Sequence, residues 1–268
     1  MIIDIPSNYH PMCLQLDIQT DKPEVIYIIA KDLYKPNTFY MRRSTLVKGS
    51  KRIDVKLPAT PKHLQLAVYN RETGNRPLGS DKSFKVDIRE KALPQWNIEV
   101  DADTYDFMKF ALHFSENASI KTAGTLNDPY VYSSDNGKFN IAYYDRIYDK
   151  DTNQYLTTPA RIGHKYGVIE VSKEYFMQYT VPMRYVILLH EYSHKYMNPK
   201  MGLSIDNEYA ADINGMYLYL GTGFSENEGM TAFLTVFDDA KTRMNEKRTH
   251  LLTTFVDQWF AGKIVKRK

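Results

Sequence analysis

Residues 186–198, VILLHEYSHKYMN, set two histidines and a glutamate inside an otherwise apolar run. Burying an imidazole costs free energy unless it finds a partner, and a buried carboxylate costs more. His190 and His194 are four residues apart, so on a helix they share one face, about 6 Å apart at Cβ. That is the spacing at which two imidazoles can hold one tetrahedral ion. Glu191 stands beside His190, where its carboxylate can reach a water on such an ion. The pattern is H-E-x-x-H: two metal ligands, His190 and His194, and a general base, Glu191. The apolar residues YVILL at 185–189 make this a largely buried helix.

A catalytic zinc takes three protein ligands and keeps one position for water, so a third ligand is needed. The following segment DNEYAAD, 206–212, offers Glu208 and Asp212, again four apart. Glu208 completes a His₂Glu set. Asp212, one turn on, is placed to accept a hydrogen bond from the far nitrogen of a ligand histidine, His190 by position, and so to fix its tautomer. Ala210 and Ala211 leave room for two helices to approach.

HEYSH followed by NEYAAD resembles the gluzincin branch of the zincin metallopeptidases, whose pattern is HExxH on one helix and ExxxD or ExxAD on the next. The resemblance implies one Zn²⁺ per chain held by His190, His194 and Glu208, with Glu191 as catalytic base and Asp212 behind the ligands. It also implies a mostly antiparallel sheet before the active helix, with an edge strand that holds an extended peptide. Residues 167–176, GVIEVSKEYF, are the candidate for that edge. The chain is similar to compact, uncharacterised phage and bacterial zincins. Only thirteen residues separate His194 from Glu208, which implies no large inserted subdomain. No motif marks the group that would stabilise an oxyanion; His250, Arg248 and Tyr209 are the candidates. The remaining histidines at 10, 63, 113 and 164 have no partner pattern. A deformylase would need a cysteine ligand in its own motif, and Cys13 lies far from one. The third histidine of the metzincins is absent, since Lys200 stands six after His194.

Outward from this motif the chain changes character twice. Residues 1–95 read as short strands: CLQLDIQ, VIYIIAKDL, RIDVKLP, LQLAVYN and FKVDIRE, separated by turn-forming stretches. Five or six such strands predict a β-sandwich-like domain, a docking or binding module for a protein partner. KALPQW, 91–96, reads as the boundary. Residues 96–268 predict an α+β zincin-like domain. In it Asp103 caps a helix bearing Phe107, Phe110, Ala111 and Phe114, and FNIAYYDRIYD supplies a strand. Four helical patterns follow: from Pro182 to Tyr196, from Asp206 to Leu220, from Ser225 with Glu228 completing a capping box, and one bearing Leu252, Phe255, Val256 and Trp259. The third of these shows Met230, Phe233, Leu234 and Phe237 on one face.

The totals exclude other classes. A net charge of +3 in 268 residues is too small to imply nucleic acid as a partner, and no run of eighteen apolar residues would span a bilayer. The amino terminus lacks the basic and apolar regions of a secretory signal. A single cysteine permits no intrachain disulfide and no multi-thiolate zinc site, and fits a reducing compartment such as the cytoplasm. The expected activity is hydrolysis of a peptide or protein substrate. A structural protein of a phage virion, carrying a weak or inactive zincin-like domain, is the alternative. A non-enzymatic module whose histidine helix is coincidental is the third reading.

Overall fold

Strict alternation in LQLAVYN puts Leu64, Leu66 and Val68 on one face, and all three are fully buried. The same rule builds seven strands: β1 (Ile2–Ile5), β2 (Met12–Thr20), β3 (Glu24–Asp32), β4 (Phe39–Val47), β5 (Ser50–Leu57), β6 (Leu64–Asn70) and β7 (Phe84–Lys91). They form two antiparallel sheets, ordered β1-β6-β3-β4 and β5-β2-β7. The buried faces carry Ile26, Ile28 and Ala30 of β3, Leu14, Leu16 and Ile18 of β2, and Ile53, Val55 and Leu57 of β5. Cys13 is buried and in no disulfide, filling space as a small apolar residue. Five or six strands were expected and seven form; β1 and β4 lie outside the five stretches read as strands. β1 has only four residues, and Arg42 and Arg43 interrupt the apolar pattern of β4.

The computed structural model describes residues 1–70, 83–163, 167–196, 208–238 and 242–267, without the side chains of 236–238. It divides into two units, Met1–Pro94 with Gly223–Ser225, and Gln95–Thr222 with Glu226–Lys268. Among the described residues no helix is long and apolar enough to cross a membrane.

The second unit mixes helices with a sheet. α1 (Ala102–Asn117) is capped by Asp101, which accepts the Thr104 amide at 2.7 Å. The cap therefore falls two residues before the expected Asp103, which sits in the first turn and pairs with Lys138 at 2.6 Å. Strands β8 (Tyr130–Ser133), β9 (Asn140–Tyr144), β12 (Ala160–Ile162) and β13 (Ile169–Ser172) form one sheet, ordered β12-β13-β9-β8. β10 (Tyr148–Asp149) and β11 (Gln154–Tyr155) make a small separate hairpin. In the four-stranded sheet β13 runs parallel to β9, and the other pairs are antiparallel.

This order corrects one expectation. Residues 169–172 are not an edge: β13 is hydrogen-bonded on both sides, by β12 and by β9. Three of its four residues, Ile169, Val171 and Ser172, are buried, as suits an internal strand. The edges are β8 and β12; β12, the edge beside β13, is only three residues long, and 173–176 form the short helix α2 (Lys173–Phe176).

Four helices follow: α3 (Val181–Ser193), α4 (Glu208–Thr222), α5 (Glu226–Asp238) and α6 (Arg243–Phe260). Pro182 lies in the first turn of α3, where its missing N–H is harmless. Val186, Leu188 and Leu189 are buried outright. Fully buried Arg184 anchors the helix, donating to the carbonyls of Phe176, Met177 and Ser115 at 3.1, 3.3 and 3.3 Å. Tyr192 stacks on Phe107 of α1 at 4.2 Å and shares a 3.0 Å hydrogen bond with Thr104. On α5, Phe233 is buried but Leu234 is 38 % exposed, so the apolar stripe is narrower than its spacing suggests. The Glu228 carboxylate accepts the Thr180 hydroxyl at 2.8 Å, joining α5 to the residue before α3. On α6, Leu252, Phe255, Val256 and Trp259 are all buried.

Candidate metal centre

α3 ends at the site. Ser193 is its last helical residue, and His194 forms the cap with right-handed backbone angles (φ −65°, ψ −23°). The turn is tight enough to keep both histidine rings on one face. His190 Nε2 and His194 Nε2 lie 3.1 Å apart. Glu208, the first residue of α4, brings Oε1 to 3.5 Å from His194 Nε2 and Oε2 to 3.7 Å from His190 Nε2. Donors bound about 2.0–2.1 Å from a tetrahedral ion stand roughly 3.3–3.4 Å from one another. The three donors, all within 4.8 Å of each other, are close enough to bind one metal ion. Two imidazoles and a carboxylate are also donor types that zinc accepts.

The close approach of α4 to α3 comes from small residues. Ala210 and Ala211 are buried. A Cβ on Gly215 would lie 3.0 Å from the His190 amide nitrogen and 3.1 Å from its Cα. A larger residue there would have to push the histidine backbone away by a few tenths of an ångström. Asn214 Nδ2 donates to Ser193 Oγ at 2.8 Å, and that hydroxyl donates to the Leu189 carbonyl at 2.6 Å. The end of α3 is thereby tied to α4.

Behind the donors, His190 Nδ1 lies 3.0 Å from Asp212 Oδ1, off the straight N–H···O line. Asp212 is almost fully buried and is gripped by Arg248 of α6. Nε donates to Oδ2 at 2.7 Å and Nη2 to Oδ1 at 2.8 Å. The same Nη2 lies 3.0 Å from Glu208 Oε2. One guanidinium therefore braces both acids of α4. Burial raises the Asp212 carboxyl, but Arg248 and His190 outweigh it and hold the group below its ordinary range. Burial pulls His190 down, and Asp212, with Glu191 and Glu208 adding, outweighs it and leaves the ring raised.

Glu191 points to β12. Burial pushes its carboxyl up to about 7, with His190 and the Ile162 amide opposing and Glu208 adding. Ser172 donates to the Pro159 carbonyl and Gly163 to that of Val168, which fixes the ladder between β12 and β13. The alternation of an antiparallel pair then turns the amides and carbonyls of Ala160 and Ile162 away from β13. The Ala160 carbonyl accepts the Thr158 hydroxyl at 2.8 Å.

The three oxyanion candidates are placed differently. Arg248 stands at the site. Tyr209 donates its hydroxyl to Met244 Sδ at 2.7 Å, and His250 is exposed on α6. Most of the short connection between the motifs, residues 197–207, lies outside the described residues, as does His164. Arg248 as a brace, Gly215 as the point of approach, and Phe233, whose ring packs edge-on against His190 at 5.8 Å, went unread in these roles. Their only signal is tertiary, since three separate helices carry them. No family model, curated protein or solved structure matches the chain, so the meaning of the site rests on its geometry.

Proposed function

We propose that the chain is a zinc-dependent metallopeptidase of the gluzincin type, with a sandwich-like first unit and a compact zincin-like second unit. One observation carries the reading: two imidazoles and a carboxylate converge within bonding reach of one ion. Glu191 stands next to them, and a braced acid stands behind His190.

His190, His194 and Glu208 would hold the ion. Bound there, zinc lowers the pKa of a water toward 7 and polarises a peptide carbonyl. Glu191 takes a proton from the attacking water and passes it to the leaving amine. Its half-buried setting raises the carboxyl above the ordinary carboxylate range, which suits a group that must accept and then release a proton. Asp212 holds the His190 ring in one orientation, and Arg248 holds Asp212. Of the outward main-chain groups on the β12 edge, the Ala160 carbonyl already accepts from Thr158 and the Ile162 amide already faces Glu191, which leaves the Ala160 amide and the Ile162 carbonyl to pair with an extended peptide.

The test is cleavage of a random peptide library before and after removal of divalent metal with a chelator. We expect cleavage by untreated protein, loss after chelation and return when Zn²⁺ is added back. Cleavage that survives complete metal removal contradicts the proposal.

A further inference from the structure

The core of the first unit is closed on one flank and open on the other. Its two sheets differ in width, four strands against three. β4 lies against β5 and β2, so β4 and β5 build one flank. There the inward residues Met41, Val47, Ile53 and Val55 are all buried. The opposite flank is left to the other two edge strands, β1 and β7. Pairing with β2 turns Phe84, Val86 and Ile88 of β7 inward, opposite Thr20, Ile18 and Leu16. Pairing with β6 turns Ile3 and Ile5 of β1 inward, opposite Leu66 and Leu64. Leu16, Ile18, Leu64 and Leu66 are completely buried, whereas the five inward residues of β1 and β7 are only half-buried. The narrower sheet stops one strand short of covering this core.

We propose that this flank takes one extended segment of a partner protein, with acidic and branched apolar residues in alternation, as a fourth strand beside β7. The space to fill is one strand wide, about 4.8 Å. β7 ends the order β5-β2-β7, so its second side offers main-chain donors and acceptors to a strand laid there. Alternate side chains of such a strand would cover Ile3, Ile5, Val86 and Ile88. Its other side chains would stand on the outer face, where β7 carries Lys85, Arg89 and Lys91 against one anion, Asp87. Arg89 and Lys91 lie 3.6 and 3.3 Å from Asp17 and Asp54, but these are exposed contacts, weak enough to admit a second acid. Exposed Glu90 takes the next inward position and ends the apolar stretch. The covered segment is therefore about five residues, roughly 17 Å. A second copy does not fit by its own β7. The wider sheet overhangs β7 by one strand, so the overhanging β1 of each copy would claim the place of the other's β6. This edge owes nothing to the metal site.

The probes are two fluorescent seven-residue peptides with blocked ends, one alternating glutamate with valine, the other lysine with valine. Anisotropy reads their binding to the full chain, in the Glu191→Gln form so that no cleavage consumes a probe. The glutamate–valine peptide is expected to bind about 10-fold tighter. In the double variant Lys85→Glu, Arg89→Glu, changed only at exposed positions, the order should reverse. Ile3→Ala removes part of the apolar cover and should weaken both peptides about 5-fold with their order kept. Hydrogen exchange within 84–91 should slow when the first peptide is bound. No binding, equal affinity for the two peptides, an order unmoved by the charge reversal, or slowed exchange that misses 84–91 overturns the proposal. So does a dimer whose 84–91 amides are already protected without a probe, since the occupant is then a second copy.

Discussion

Glu191→Gln is expected to lower peptide hydrolysis about 10²–10⁴-fold while zinc content stays at the wild-type level. Glutamine matches glutamate in size and fits the same space beside His190. It cannot accept a proton, so the water loses its base and the leaving amine its acid. The ligand set is untouched, because Glu191 is not among the three converging donors. Burial already disfavours the charge on this carboxyl, so the neutral amide should not weaken the fold. The measurement is steady-state cleavage of one identified peptide alongside zinc per chain. Wild-type turnover in the variant would show that another group is the base. Loss of zinc would show that Glu191 is a ligand.

Arg248→Met should destabilise the protein by about 3–5 kcal/mol, because it strands a buried carboxylate. Asp212 is 1 % exposed and takes two of its hydrogen bonds from this guanidinium, at 2.7 and 2.8 Å. Methionine offers bulk and no donor. Glu208 also loses its 3.0 Å partner, so the carboxylate among the donors becomes less well oriented. Zinc affinity should fall about 10–100-fold, the usual effect of removing support behind a ligand. Lysine restores the charge without the two-pronged geometry, so Arg248→Lys should recover only part of either loss. A urea unfolding midpoint and a zinc competition titration report the two effects. If Arg248 acts only on an oxyanion, kcat falls while both of these stay at wild-type values. That result would remove its bracing role.

What the chain discloses unaided follows from where each signal lies. His190, His194, Glu208 and Asp212 depend on spacings of four residues within two helices, and such spacings are local. Meeting one another requires only that the two helices pack, which Ala210, Ala211 and Gly215 allow. The long alternating strands were equally legible, β6 most clearly. The edge strand was not. Three residues, Ala160 to Ile162, are too few to show a period, while β13 stands out through Ile169 and Val171, two β-branched residues that are both buried. Which strand is outermost is a property of sheet order, and nothing within 169–172 carries it. Arg248 was visible as a cation near the site, but its partners lie 36 and 40 positions earlier in the chain. Phe233 was assigned to an apolar helix face. Its contact with His190 depends on how α5 crosses α3, and periodicity does not encode that.

Zinc per chain, measured on the purified wild type and on His194→Ala after exposure to equimolar Zn²⁺ and desalting, tests the shared-ion claim most directly. The account predicts one zinc per wild-type chain and almost none in the variant, with both proteins folded by circular dichroism. A folded wild type that leaves the column without metal, or a His194→Ala protein that keeps a full equivalent, would contradict it.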